Sequence, residues 1–221
     1  MWKRCFGTNT EGSGIVDAQF KSFRMVMDKV GRLDNYKIIL ASNSPRRKEL
    51  LAGLGLPFEV RTKSGIDESY PEGLSGEEIA LYISNKKAEA YKVDMADDEL
   101  IITADTIVYV EGEVLGKPKD KEDARRMFHL MRGREHQVIT GVCIVTKEKT
   151  VQFASVTDVT FAWLTDEEID YYIDKYKPFD KAGAYGIQEW IGYVGITGIN
   201  GSYYNVVGLP VQRLYTALKS F

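Results

Sequence analysis

The sequence predicts an α/β or α+β domain built on a mixed sheet, and three observations carry that expectation. Strand-like and helix-like segments alternate through the first half of the chain, two long strands of alternating pattern then face each other, and Ser/Thr-x-x-Glu helix starts recur between strands. The 221 residues suffice for one large domain or two small ones. A hydrophobic share of 44% with 13 Tyr, 9 Phe and 3 Trp excludes a disordered or collagen-like chain.

Lys37 to Ala41 is a short apolar run bounded by Ser-Asn-Ser-Pro and reads as a buried strand. A helix follows, with Ser44 as N-cap, Pro45 at the first helical position, and Leu50, Leu51 and Leu54 as an apolar stripe ending at Gly55. Phe58 to Thr62 is the next strand. Ser75-Gly76-Glu77-Glu78 has capping-box spacing and opens a helix whose face runs through Ile79, Tyr82, Ile83, Lys87 and Tyr91. Leu100 to Val110 returns to strand and turns at Glu111-Gly112 into a hairpin with Glu113 to Leu115.

Asp120 to Arg132 is helical, with Ala124, Met127, Phe128 and Met131 on one side. Gln137 to Thr146 and Val151 to Phe161 form an antiparallel pair, the second alternating along Val151, Phe153, Ser155, Thr157, Val159 and Phe161. Thr165-Asp166-Glu167-Glu168 is a second capping box, and Pro178 stops its helix. Residues 183–208 hold seven glycines and read as irregular or short-stranded before a last helix near Val211 to Lys219. Residues 1–36 carry a net charge of +2 against −5 for the rest and show no sustained hydrophobic period before Phe20, so they read as an N-terminal extension to a domain spanning 37–221, either poorly ordered or, with Met25 and Met27 just before the first strand, a mis-assigned start.

The net charge of −3 is too acidic for a broad face that neutralises nucleic-acid phosphates, so an anion site must be local. Cys5 and Cys143 lack any CxxC or Cys/His spacing, which argues against a disulfide framework or a zinc site and fits a reducing cytoplasm. The longest apolar stretch, Leu100 to Val110, is about half the length of a bilayer span and contains Asp105; the polar, Gly-rich 7–14 is unlike a signal peptide. No nucleic-acid or membrane partner is expected. Oligomeric state is left open, a homodimer included.

Four features can carry chemistry. Ser42-Asn43-Ser44-Pro45-Arg46-Arg47-Lys48 lies between a strand end and a helix start, where free helical N–H groups, two hydroxyls and two guanidiniums all favour an anion. Cations in a first turn oppose the helix dipole, at a few tenths of a kcal/mol each; the alternative is a capped helix with solvated Arg and Lys. Asp105 sits in a β-branched run where a carboxylate needs an ion pair, hydrogen bonds or a metal, unless it caps a local bulge. Glu68 alone reads as a loop acid, Lys87 and Lys117 as solvated lysines, although Gly116-Lys117-Pro118 places its cation on a rigid turn. Lys181 to Gln188 is a Gly-punctuated loop ending in an amide that can both donate and accept. His129 and His136 form no ligand pair and read as core or surface histidines.

In order and wording these segments resemble the Maf family of nucleoside triphosphate pyrophosphatases from about Lys37 to Phe221: Ser42 to Arg47, Ala104 to Val108, Gly116-Lys117-Pro118, His136-Gln137-Val138-Ile139-Thr140-Gly141, Lys181 to Gln188, and Asn200-Gly201-Ser202-Tyr203. The resemblance implies an ITPase-like α/β fold, a mixed sheet with flanking helices and two lobes around a central cleft, and cleavage of a nucleotide between its α and β phosphates. Arg46, Thr106 and Gln188 match the branch that acts on dTTP and UTP; the branch acting on 7-methyl-GTP would show Trp and Glu in place of Arg46 and Gln188. It further implies Ser42, Ser44, Arg47, Lys87 and Lys117 around the triphosphate, Glu68 and Asp105 holding a divalent cation such as Mg²⁺ or Mn²⁺, and Asp105 as the catalytic base. The rival is a nucleotide-binding regulator of septum formation with little turnover.

Overall fold

A computed structural model describes residues 32–221. Most of the 1–36 extension therefore lies outside the described residues, along with Cys5. Leu33, in a 3₁₀ turn at Arg32–Asn35, is buried against the core that includes Ile38 and Leu40, so the packed domain begins ahead of the first strand.

The strands are β1 (Lys37–Leu40), β2 (Glu59–Val60), β3 (Glu99–Val110), β4 (Glu113–Leu115), β5 (Glu135–Val145), β6 (Thr150–Phe161) and β7 (Ile196–Asn200). They form one mixed sheet in the order β2-β1-β3-β5-β6-β7, with β4 added beside β3. β2 and β3 run parallel to β1, and the remaining pairs are antiparallel. The helices are α1 (Pro45–Ala52), α2 (Gly76–Lys92), α3 (Lys121–Met131), α4 (Asp166–Tyr176), α5 (Trp190–Gly195), α6 (Tyr203–Val207) and α7 (Val211–Leu218). The chain is thus an α/β domain with helices flanking a mixed sheet.

Local chemistry sets these boundaries. Both capping boxes form: Ser75 N donates to Glu78 Oε2 at 2.8 Å and Thr165 N to Glu168 Oε2 at 2.8 Å, with the return bonds to each hydroxyl present. Glu111 and Gly112 take φ of 49° and 88°, the two left-handed residues that a tight β3–β4 hairpin requires. Two expectations are corrected. The strand expected over 58–62 shrinks to Glu59–Val60, an exposed edge with one partner strand. Residues 183–208, read as irregular or short-stranded, do hold one short strand, β7, but also two short helices, α5 and α6, elements too short to show a hydrophobic period.

β3 organises the molecule. Its alternate residues Leu100, Ile102, Ala104, Val108 and Val110 face two separate apolar cores, one with α1 and α7 and the other with α3, α4 and α5. Ile101 and Ile107 face α2. One edge of β3 pairs with β5 from Ile101 to Tyr109. The other edge is shared: β1 takes Glu99 to Ile102 and β4 takes Val108 to Val110. Residues 103–107 have no strand partner there, and this gap opens as a cleft between the two cores. No helix among the described residues is long and apolar enough to cross a membrane.

Candidate active site

The gap in the sheet is the floor of a cleft of about 420 Å³, a volume in the range of small-molecule sites. Asp105 and Thr106, at its centre, point to opposite faces of β3 because side chains alternate along a strand. Asp105 faces α2. Lys87 reaches it from that helix, with Nζ 2.7 Å from Asp105 Oδ1 and 2.8 Å from Glu68 Oε1. The Lys87 and Asp105 side chains are each only 14% exposed, so each satisfies the other's buried charge. Desolvation pushes the Glu68 carboxyl up, but the Lys87 hydrogen bond and the nearby Lys117 and Arg47 charges outweigh it and hold Glu68 below its ordinary value.

Gly141 explains why α2 comes so close. It is the β5 partner of Asp105, and a Cβ there would sit 2.2 Å from the Ala80 carbonyl oxygen. The α2 backbone therefore lies directly on the sheet beside Asp105, and Lys87 follows two helical turns later.

The N-terminus of α1 forms the second wall. Ser44 Oγ accepts from Arg47 N at 3.4 Å as the N-cap, and Ser42 Oγ accepts from Ser44 N at 3.2 Å. Both hydroxyls keep an O–H to donate. Arg47, expected among the phosphate ligands, already donates to three protein acceptors: Gly208 O at 2.8 Å, Ala104 O at 2.9 Å and Thr106 Oγ1 at 3.0 Å. It thereby occupies the β3 edge that no strand covers, and burial lowers its pKa. Thr106 Oγ1 lies 2.9 Å from Thr140 Oγ1, and this specificity candidate, half-buried, lines the cleft beside Arg47. Arg46 reaches across the cleft instead, its Nη1 2.8 Å from Asp180 Oδ2. Lys117 is exposed on the cleft wall and has no ion-pair partner among the described residues.

The loop before α5 supplies the third wall. Tyr185 is buried with its hydroxyl 2.8 Å from His136 Nε2, and Gln188 is exposed at the loop's end. His136, the core alternative in the sequence, has its pKa pushed down to about 4 by burial. For Asp180, burial raises the pKa but hydrogen bonds from Lys181 and Arg46 prevail and hold it down to about 2.

Among the described residues no group of three or more His, Cys, Asp or Glu side chains gathers around one point. Asp105 and Glu68 do converge on a single cation, the Lys87 ammonium. Two hard carboxylate donors beside open cleft suit Mg²⁺ or Mn²⁺, ions commonly held by one or two carboxylates plus substrate phosphates. Ser42, Ser44, Arg46, Arg47, Glu68, Lys87, Asp105, Thr106, Lys117 and Gln188, singled out in the sequence, all line this cleft, but sequence reading missed Thr62, Lys63, Asp180, Glu189 and Tyr172 and saw Lys181 only as the start of a loop. Their signal is long-range pairing, which spacing does not encode.

A "dTTP/UTP pyrophosphatase" of Phocaeicola vulgatus is 64% identical over 187 residues, covering 85% of this chain and 97% of its own. One of Parabacteroides distasonis is 63% identical over 189 residues, covering 86% and 98%, and one of Flavobacterium psychrophilum 52% over 187, covering 85% and 95%. Among solved structures, a HAM1 protein from Coxiella burnetii aligns over 84% of this chain and 100% of its own with a TM-score of 0.47 and 12% identity. The family model described as Maf-like protein matches residues 37–221, and the chain belongs to that family.

Proposed function

We propose that this chain is a nucleoside triphosphate pyrophosphatase that hydrolyses dTTP and UTP to the nucleoside monophosphate and pyrophosphate, in the cytoplasm and with a divalent cation. The observation that carries the reading is Asp105: a carboxylate on the floor of a cationic cleft, fixed at Oδ1 by Lys87 and with Oδ2 free of hydrogen-bond partners among the described residues. A site that only bound nucleotides has no need of a carboxylate aimed at the phosphates, which would repel them unless a metal intervenes.

In this reading the Ser42 and Ser44 hydroxyls, the α1 N-terminus, Lys87 and Lys117 hold the triphosphate. Arg47 holds the strand edge and leaves its remaining N–H groups to the phosphates. Glu68 and Asp105 would hold the cation, which when bound supplies neutralisation of phosphate charge. Asp105 orients a water for in-line attack at the α phosphorus and accepts its proton. Charge on the departing pyrophosphate spreads over the lysines. Gln188 pairs through its amide with the O4 carbonyl and N3–H of uracil or thymine; cytosine lacks that N3–H and carries an amine at position 4.

The experiment is pyrophosphate release from dTTP, UTP, CTP and 7-methyl-GTP with Mg²⁺. The proposal expects dTTP and UTP to be the best substrates, CTP weaker and 7-methyl-GTP poor. A preference for 7-methyl-GTP over UTP would overturn the base assignment, and no pyrophosphate from any of the four would overturn the activity.

A further inference from the structure

Lys181 is a buried cation at the edge of the cleft. Its side chain is 9% exposed, and its ammonium lies 2.8 Å from Asp180 Oδ1 and 3.2 Å from Glu189 Oε1. Glu189 Oε2 accepts from the Tyr172 hydroxyl, and that hydroxyl accepts from Gly186 N at 3.0 Å. Tyr172 is fully buried on α4, so this series of bonds anchors the backbone two residues before Gln188 to the core. A Cβ at Gly186 would lie 3.0 Å from Gln188 Nε2, 3.0 Å from Glu189 Cδ and 3.1 Å from Lys181 Cε. The base-reading amide, the carboxylate and the lysine stem therefore pack together on one bare stretch of backbone. At the other end, Asp180 Oδ2 holds Arg46 at 2.8 Å.

We propose that Lys181 and Glu189 are positioning residues for base selection, which fix the Gln188 loop through Tyr172 and tie it to Arg46 through Asp180. This rests on the function proposed above. Two of the three candidate specificity side chains, Arg46 on α1 and Gln188 before α5, are far apart in the sequence and line the same cleft, and this network joins them. Stability alone gives little reason for it. A buried ammonium between two carboxylates is commonly matched or bettered by apolar residues of similar volume, whereas its hydrogen-bond geometry sets a side chain's direction. An amide that must distinguish two partners on a base edge needs that direction, because a misaligned donor leaves a buried polar group unpaired and forfeits discrimination.

The test compares kcat and KM for UTP and CTP in the wild type, Tyr172→Phe, Glu189→Gln, Lys181→Met and Lys181→Arg, with melting temperatures alongside. Tyr172→Phe keeps the ring and removes only the hydroxyl that holds Gly186. It is expected to raise KM for UTP about tenfold and to lower the UTP-to-CTP ratio of kcat/KM about tenfold, the size of one hydrogen bond, with kcat moving less than about threefold. Glu189→Gln and Lys181→Met are expected to lower the ratio likewise, and Lys181→Arg, which restores a cation between the carboxylates, to recover it. A selective wild type whose folded Tyr172→Phe and Glu189→Gln variants keep the full ratio overturns the inference and leaves a purely structural network. A wild type that releases pyrophosphate equally from UTP and CTP overturns the base assignment and this inference with it.

Discussion

Gly141→Ala tests whether the cleft depends on how closely α2 lies on the sheet. The added Cβ would sit 2.2 Å from the Ala80 carbonyl oxygen, 2.3 Å from its carbon and 2.7 Å from Leu81 N, all backbone atoms that no rotamer can move. Ordinary carbon–oxygen contact needs about 3.2 Å or more, so α2 must retreat by about 1 Å. Such overpacking costs about 1–3 kcal/mol of stability. The functional cost is larger, because the same helix carries Lys87, whose Nζ lies 2.7 Å from Asp105. A misplacement of about 1 Å at a reacting site is worth about a hundredfold in rate. Gly141→Ala should therefore lower kcat/KM for UTP about a hundredfold while the protein still melts cooperatively, a few degrees below the wild type. Pyrophosphate release and a thermal melt measure the two effects on one sample. A folded variant with activity within about threefold of the wild type would refute the reasoning, since either α2 would not carry Lys87 into place or Lys87 would not matter.

Asp105→Asn removes the charge and keeps the shape, so kcat should fall at least about a hundredfold while UTP binding persists; near-native turnover would dismiss Asp105 as the base. Lys117→Ala should raise KM for UTP several-fold without shifting the melting temperature, because the lysine is exposed and has no ion-pair partner among the described residues; an unchanged KM would remove it from the phosphate site. His136 has its pKa lowered from 6.5 to about 4 by burial, so between these values the unfolded chain binds a proton that the folded chain refuses. Stability is then complete above about pH 6.5 and declines as the pH falls toward 4, by roughly 3 kcal/mol in all. His136→Phe should make the drop in melting temperature from pH 7 to pH 5 shallower, and an equally steep drop in that variant would contradict the assignment.

How legible each part was follows from the range of the forces involved. The capping boxes at Ser75 and Thr165, the Ser44-Pro45 helix start and the Glu111-Gly112 turn act within four residues, and each formed where its residues stand. α5 and α6 escaped notice because five or six residues among glycines cannot display a helical period. Asp105 announced itself as a charge in an apolar strand, and its compensation proved to be Lys87, 18 positions earlier on a helix whose sequence gives that lysine no distinction. Arg47 shows the limit of motif reading: the spacing pointed to an anion, while three of its N–H groups turned out to serve protein oxygens as far away as Gly208. Asp180 and Glu189 carry no signal in the sequence, and Lys181 stands out there only as the start of a Gly-punctuated loop. Only folding brings them to one ammonium and to Arg46.

The central claim is that water attacks the α phosphorus, and isotope placement measures it directly. UTP hydrolysed to completion in ¹⁸O-labelled water should give UMP carrying one labelled oxygen and pyrophosphate carrying none. Label in the pyrophosphate, or orthophosphate as the product, would contradict the account.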